Sequence, residues 1–347
     1  MKIGQHVIGP GHPCYVIAEL SANHGGDYEI AARTIRAMAE AGADAVKVQT
    51  YTADTLTLAS DAPPFKIGGG TLWDGRTLHD LYQEAFMPWD WQPRLQSLTT
   101  GLGLDFFSSP FDATAVDFLE GLNVPAHKIA SFELVDHPLL RKVAATGKPV
   151  IMSTGMATED EIAESLAVLR AAGSGPVALL KCTSAYPAAP ATMNLRTIQD
   201  MAARYALPVG LSDHTPGHTV PVAAVSLGAC IVEKHFILSR SQGGPDSSFS
   251  LEPAEFRAMV DAIRVTEQAL GGVHYGGMAD EIKSRVFRRS LFVVRDMQAG
   301  EAFTPENVRC IRPAHGLHPR HLDEVLHARA AVAITRGTPL AWNLVNR

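Results

Sequence analysis

Short apolar runs alternate with amphipathic stretches over most of the chain, and this alternation predicts strands that are each followed by a helix. The apolar runs predict eight strands, at 14–18, 44–48, 104–108, 127–130, 149–152, 177–181, 208–211 (extended back by one residue) and 229–233. Apolar positions at helical spacing predict helices at 28–41, 158–172 and 254–270. Thr158 is a candidate N-cap, and helices are expected to end near Gly42, Gly103, Gly147 and Gly173.

Eight strand–helix units in a row predict a closed parallel (β/α)8 barrel, the TIM-barrel fold, within the α/β class. A Rossmann-type sheet is the alternative, but the first strand is followed by Glu-Leu-Ser-Ala-Asn-His-Gly-Gly at 19–26 and not by GxGxxG. We predict a barrel domain at 1–280. The rest, 281–347, begins with a basic hinge and continues as a small, mostly β domain with strand-like pieces at 291–294 and 330–334.

One long segment, 51–91, departs from the alternation and is rich in proline, glycine and tryptophan. Long irregular loops on compact barrels commonly serve function. The aromatic residues of this loop, Phe65, Trp73 or Phe86, are candidates for an apolar contact to a substrate, with packing of the loop itself as the alternative.

Composition narrows the classes of function. The 347 residues include 30 Lys and Arg against 36 Asp and Glu, a formal charge of −6, which argues against a general nucleic-acid binder. No apolar run of about 18 residues is present, so no membrane span is predicted. Four dispersed cysteines and the absence of an N-terminal signal core lead us to expect a reduced, cytoplasmic protein.

Polar side chains stand at the carboxyl end of every predicted strand, where barrels of this kind carry their chemistry. Lys47 and Lys128, with hydroxyls and backbone amides, suit a phosphorylated anion. His214 and His235 end adjacent strands and are candidates to share a divalent metal that keeps open positions. Glu19 and Glu133 are candidates for acid–base work or for binding sugar hydroxyls. A buried lysine also leaves Schiff-base chemistry open.

Five short motifs, in order at strand ends, resemble the sialic acid synthase family, the nonulosonate synthases. They are Ile17-Ala-Glu-Leu-Ser-Ala-Asn-His24, Lys128-Ile-Ala-Ser-Phe-Glu133, Ser153-Thr-Gly-Met156, Gly210-Leu-Ser-Asp-His-Thr215 and Glu233-Lys-His-Phe236. The tail resembles the antifreeze-like (SAF) domain of the same family. Further motifs, among them Thr71-Leu-Trp-Asp-Gly-Arg-Thr-Leu78 and Gly243-Gly-Pro-Asp-Ser247, resemble the branch that makes pseudaminic acid. Neuraminate synthases typically have His and Asn where Lys181 and Ser184 stand, which points away from N-acetylmannosamine as substrate.

The resemblance implies a transferase that condenses phosphoenolpyruvate with an open-chain amino sugar, here 2,4-diacetamido-2,4,6-trideoxy-L-altrose, with C–O cleavage and release of phosphate. It implies His214 and His235 as ligands of Mn2+ (or Mg2+ or Co2+), Glu133 as the acid–base residue and Lys128 and Glu19 as further catalytic groups. It implies substrate contacts from Lys47, Asn23, Ser109, Ser131, Ser153, Ser184, Tyr186, Ser212, Glu233 and Asp246, and, through a domain-swapped homodimer, from Arg312 of the tail.

Alternatives stay open at this point. Within the family, the product is also compatible with N-acetylneuraminate or legionaminate. Outside it, the rivals are a Schiff-base aldolase that uses Lys128 or Lys47 with pyruvate and a non-catalytic sugar-binding barrel. A 6-deoxy sugar carries a methyl group that needs an apolar contact, which Phe65, Trp73 or Phe86 of the loop at 65–91 would supply.

Overall fold

Eight parallel strands close into a barrel in the computed structural model, which describes residues 1–346. Around the barrel each strand pairs with its neighbours in chain order, and the last strand closes on the first. The predicted (β/α)8 fold is therefore confirmed. The barrel strands are β3 Tyr15–Glu19, β4 Ala45–Thr50, β5 Asp105–Pro110, β6 His127–Ile129, β7 Val150–Ser153, β8 Val177–Cys182, β9 Val209–Asp213 and β10 Ile231–His235, and they follow a hairpin of β1 Lys2–Ile3 and β2 His6–Val7.

The strands start at or shortly after the predicted positions, and all but β6 run further. β9 and β10 continue through polar residues because their parallel ladder pairs Glu233 with Ser212 and Lys234 with Asp213. An apolar pattern ends before such residues, so it predicts these strands too short. The polar ends are part of the sheet and are held by backbone hydrogen bonds, which gives their side chains fixed directions.

Helices connect the barrel strands of the first unit, and two short ones lie in the second unit. Side chains cap the first turn of several of them. Thr158 accepts a hydrogen bond from the Glu161 amide in a capping box. The helices are α1 Tyr28–Glu40, α2 Ala53–Leu56, α3 Leu78–Ala85, α4 Gln92–Gly101, α5 Ala113–Gly121, α6 His137–Ala144, α7 Glu159–Ala171, α8 Thr197–Tyr205, α9 Thr219–Ser226, α10 Pro253–Leu270, α11 Ala279–Lys283 and α12 Leu322–Leu326. Two of them, α2 and α3, lie in the segment predicted as irregular. No helix within residues 1–346 is long and apolar enough to cross a membrane.

The chain forms two compact units, of which the first ends at Gly271 and the second begins at Gly272. The predicted domain division between residues 280 and 281 stays a prediction. The second unit pairs β11 Ser290–Val293 with β12 Val308–Ile311 and β13 Arg329–Ala330 with β14 Val345–Asn346. Leu291, Val293 and Phe303 belong to its own small apolar core.

The predicted strand at 330–334 is largely wrong. Only Ala330 of this run lies in a strand, and Ile334 makes an isolated bridge with Met297. The run is apolar because Ala330 and Ile334 are buried in the core, whereas Val332 is half exposed. Burial at two positions, and not a continuous ladder, accounts for the pattern.

Candidate active site

A cluster of buried charges occupies the carboxyl end of the barrel, with Glu233 between two lysines. The Glu233 carboxylate oxygen Oε1 lies 3.5 Å from Lys47 Nζ and 3.7 Å from Lys128 Nζ. The exposed fraction is 5% for Glu233, 4% for Lys47 and 2% for Lys128. Parallel strands bring these residues together because their polar side chains stand at the same end of the sheet. The two ammonium groups therefore lie in a buried space that shields them from water.

A second carboxylate, Glu19, completes the charge balance. Glu19 Oε2 lies 2.9 Å from Lys47 Nζ, and Gln49 Nε2 donates to the other oxygen at 3.1 Å. The same amide donates to Ser21 Oγ at 2.9 Å, so Gln49 fixes the orientation of the Glu19 carboxylate. The register of the ladder, which places Glu19 directly beside Lys47, explains this contact.

Burial and charge act against each other on these groups. Burial raises the pKa of Glu19 to about 7 in spite of Lys47. Burial also opposes the charged form of Glu233, but Lys128 and Lys47 outweigh it and lower the pKa of that carboxyl. The pKa of Lys47 is raised, because Glu19 and Glu233 outweigh its desolvation. For Lys128 desolvation prevails over Glu233, and its pKa is lowered.

Hydroxyl groups surround the two lysines. Lys128 Nζ donates to Ser153 Oγ at 2.7 Å, and Lys47 Nζ donates to Ser109 Oγ at 3.4 Å. Ser212 Oγ donates to Glu233 Oε1 at 3.1 Å. Ser131 Oγ accepts from the Gly155 amide at 3.1 Å, which ties the turn after β6 to the turn after β7. These contacts bring together Lys47, Lys128 and four of the five predicted serines at one end of the barrel. The fifth, Ser184, lies beside Ser131, because a Cβ atom at Gly155 would clash with Ser184 Oγ and stand 2.7 Å from Ser131 Oγ.

The two predicted metal ligands, His214 and His235, lie side by side with their ring centroids 5.4 Å apart. His214 Nδ1 lies 3.1 Å from the Thr183 carbonyl oxygen, which only accepts hydrogen bonds. Nδ1 therefore carries a proton. Burial opposes the charged form of His214, but its contacts with Cys182 outweigh burial and raise the pKa of this imidazole. In the neutral form Nε2 is the ring atom that would ligate a metal. Burial, reinforced by the charge of His214, lowers the pKa of His235 well below its usual range, so this imidazole is neutral.

The donor set fits a metal that is held by few protein ligands. Among residues 1–346 no group of three or more His, Cys, Asp or Glu side chains is placed to hold a metal ion. Asp246 Oδ2 lies 3.7 Å from His235 Nδ1, which is too far for a hydrogen bond, and this buried nitrogen has no hydrogen-bond partner in the part of the chain that the structure describes. Two imidazoles would leave most positions of a divalent ion to water and substrate, which suits a catalytic and not a structural ion.

A cavity of about 390 Å³ opens beside this cluster. One side is polar and is formed by Gln49, Glu133, His235 and Asp246. Tyr186 also lines the cavity, with its ring centroid 4.4 Å from that of His214. Most of the apolar lining comes from the segment between β4 and α4: Tyr51, Leu56, Ile67, Trp73, Leu78, Leu81, Tyr82 and Ala85. Of the three aromatic residues proposed from the sequence, Trp73 lines the cavity, whereas Phe65 and Phe86 are not among its wall residues.

Glu133 stands at the end of a short 3-10 turn, Ser131–Glu133, directly after β6. Its side chain lines the cavity, and its Oε2 atom is buried without a hydrogen-bond partner. Burial raises the pKa of this carboxyl to about 7, although its own backbone amide and Lys128 oppose the shift. A group with this pKa takes up and releases protons readily at neutral pH.

Several predicted residues lie elsewhere or have other contacts. Asn23 donates its side-chain amide to the Phe236 carbonyl at 2.9 Å and to Ser250 Oγ at 2.8 Å, so it holds two loops together. Lys181 points away from the pocket and lines a separate cavity between α7 and α8. Arg312 follows β12 in the second unit and is exposed.

Sequence reasoning missed Ser21, Tyr51 and Cys182. Cys182 interacts with His214, and these contacts outweigh burial and lower the pKa of its thiol to about 7. The alternation of side chains along a strand could have indicated Cys182. Lys181 and Cys182 are neighbours in β8, so their side chains point to opposite faces of the sheet. Tyr51 offered no such signal, since it lies beyond the end of β4.

Comparison with known proteins agrees with this geometry. The NeuB family matches residues 34–275, and the SAF domain matches residues 288–346. The pseudaminic acid synthase of Campylobacter jejuni is 45% identical over 326 residues, 94% of this chain and 95% of that protein. The pseudaminic acid synthase of Helicobacter pylori is 43% identical over 96% of this chain and 98% of that protein.

The fold of this chain is also similar to a solved structure. The N-acetylneuraminic acid synthetase of Leptospira borgpetersenii, in complex with citrate, has a TM-score of 0.73 and 31% identity, covering 82% of this chain and 94% of that one. The resemblance to the sialic acid synthase family, which the motifs indicated, is thereby confirmed.

Proposed function

The chain belongs to the NeuB family, and from this premise we propose that it makes pseudaminic acid from phosphoenolpyruvate, 2,4-diacetamido-2,4,6-trideoxy-L-altrose and water, with release of phosphate. It is a C–C bond-forming transferase of the kind that its relatives represent. The observation that carries the proposal is the pair of buried lysines, Lys47 and Lys128, around Glu233 beside a cavity of sugar size. Two cations and several hydroxyl donors at this end of the barrel can bind an anion that has a phosphate and a carboxylate group.

Phosphoenolpyruvate binds where the lysines lie. Lys47 and Lys128 offset the charge of the phosphate and the carboxylate, and Ser109, Ser131, Ser153, Ser184 and Ser212 supply hydrogen bonds. Cations in a dry site act strongly on a developing charge because little water screens them. The carboxylate of Glu233, 3.5 Å from Lys47 Nζ and 3.7 Å from Lys128 Nζ, offsets the charge of the two lysines while phosphoenolpyruvate is absent.

The sugar occupies the cavity with its aldehyde toward the histidines. The enol carbon C3 bonds to the aldehyde carbon, whose C=O bond becomes a C–OH group, and water adds at C2. The C2–O bond to phosphate then breaks and C2 becomes a ketone, so that one proton of the water ends on the former aldehyde oxygen and the other leaves with phosphate. Glu133 takes a proton from the water as it adds, which its pKa of about 7 permits. Glu19 and Asp246 bind hydroxyl or amide groups of the sugar, with Tyr186 packed against His214. His214 and His235 would hold a divalent ion, Mn2+ by the family resemblance, which polarises the aldehyde when bound.

Two further expectations stay predictions. The first is a domain-swapped homodimer in which Arg312 contributes to the site of the partner subunit. The second is a cytoplasmic location.

Isotope labelling tests the chemistry. Phosphoenolpyruvate carrying 18O in the bridge between C2 and phosphorus is incubated with the protein, Mn2+ and the altrose sugar. We expect the label to leave with phosphate, because the C2–O bond breaks. Label retained in the sugar product contradicts the mechanism. Borohydride trapping of pyruvate on Lys128 supports the Schiff-base alternative instead, and turnover confined to N-acetylmannosamine or the legionaminate precursor changes the product.

A further inference from the structure

Four aliphatic side chains form a part of the cavity wall to which the chemistry above assigns no role. Leu56 lies on α2, Leu78 and Leu81 lie on α3, and Ile67 lies in the loop between the two helices. We call these four residues the methyl lobe. None of them belongs to a barrel strand, whereas Lys47 and His235 lie in barrel strands β4 and β10.

Local hydrogen bonds hold the lobe in shape. The Ile67 amide donates to the Arg76 carbonyl at 2.8 Å, and the Gly75 amide donates to the Ile67 carbonyl at 2.9 Å. These bonds place Ile67 beside the start of α3, where Thr77 caps the helix through the Asp80 amide. Leu56, Ile67 and Leu78 are half-buried, so each keeps apolar surface for a ligand.

The open-chain sugar determines which of its groups reaches this wall. The aldehyde carbon C1 must lie near the lysines and histidines, and C6 is the end of the chain farthest from it. A 6-deoxy sugar carries a methyl group at C6, whereas an ordinary hexose carries a hydroxyl there. An apolar wall stabilises the methyl group, while a hydroxyl against the same wall loses hydrogen bonds to water.

We propose that the methyl lobe binds the C6 methyl group and selects 6-deoxy sugars over their 6-hydroxy counterparts. This inference rests on the proposed function, and it also explains why a motif typical of the pseudaminic acid branch lies here. Residues 71–78 of that motif place Trp73 and Leu78 on the cavity wall. Hydrophobic pockets discriminate against an added hydroxyl by about 100-fold, so we expect a preference of about 10- to 100-fold.

The test compares 2,4-diacetamido-2,4,6-trideoxy-L-altrose with the same sugar bearing a hydroxyl at C6. Both kcat/KM, from phosphate release, and Kd, from calorimetry, are measured for wild type, Leu78→Asn and Leu72→Asn. Leu72 is the matched control, because it lies in the same segment, is 55% exposed and does not line the cavity. We expect Leu78→Asn to reduce the preference by at least about 5-fold and Leu72→Asn to leave it unchanged.

The outcomes separate this inference from the proposed function. A wild-type preference below about 3-fold, or an equal preference in wild type and Leu78→Asn, overturns the methyl lobe. If neither altrose sugar is turned over, the proposed function is wrong, and the ratio of the two Kd values still tests the methyl lobe. If neither sugar binds, both the proposed function and the methyl lobe are overturned. An unchanged KM for phosphoenolpyruvate shows that Leu78→Asn folds normally, and Ile67→Thr repeats the test from the loop.

Discussion

The replacement Glu133→Gln is expected to stabilise the fold at high pH while it removes activity. Burial raises the pKa of Glu133 from 4.5 to about 7. Each pH unit of such a difference corresponds to 1.36 kcal/mol, so ionised Glu133 costs the folded state up to about 3 kcal/mol. Because the side chain is half-buried, solvent screening reduces this, and we work with about 2 kcal/mol.

The sign of the effect follows from the direction of the shift. The folded protein binds the Glu133 proton more tightly than the unfolded chain does, so the penalty is absent below pH 4.5 and complete above about pH 7. Glutamine resembles the protonated acid and has no penalty at any pH. We therefore expect Glu133→Gln to leave Tm nearly unchanged at pH 5 and to raise it by about 4 °C at pH 8.5.

Calorimetric melting of wild type and variant at both pH values checks this expectation. Glu40→Gln, at an exposed glutamate near the end of α1, is the control and should shift Tm equally at both pH values. In parallel, kcat/KM of the wild type should rise with pH through about 7, and the variant should lack activity at every pH. Equal Tm shifts of Glu133→Gln at both pH values, or an unchanged turnover rate, would refute the reasoning.

Three further expectations concern other parts of the site. His214→Ala should lose binding of Mn2+ in calorimetry and lose turnover, and full activity of that variant in chelator would contradict a role for the metal. Lys128→Met should raise KM for phosphoenolpyruvate by about 10- to 100-fold, since a hydrogen bond to a charged group contributes about 1.5–3 kcal/mol; an unchanged KM would remove Lys128 from the anion site. Arg312→Ala should lower turnover without changing Tm, and mixing it with Glu133→Gln under exchange should restore about a quarter of wild-type activity in a domain-swapped dimer; no recovery would speak against the swap.

Periodicity was sufficient for the architecture of the barrel. Parallel strands buried on both faces give continuous apolar runs, and amphipathic helices between them give the alternation that predicts a closed barrel. Periodicity gave wrong strand predictions at two kinds of position. Ala330 and Ile334 are buried without forming a continuous strand, and β10 continues through polar residues at its end.

The charged part of the site was also accessible from the sequence. Glu19, Lys47, Lys128 and Glu233 stand at strand ends, and the barrel brings strand ends together. The wall of the cavity was not accessible in the same way. It comes from α2, α3 and the loop between them, whose packing depends on tertiary contacts and not on a repeating pattern, so only Trp73 was anticipated.

The proposed reaction pairs phosphoenolpyruvate with one particular sugar, and a single assay tests this pairing. Phosphate release is measured with Mn2+, with and without chelator, using either 2,4-diacetamido-2,4,6-trideoxy-L-altrose or N-acetylmannosamine. We expect release that depends on the altrose sugar and stops with chelator. Release with N-acetylmannosamine alone, or with neither sugar, would contradict the assignment.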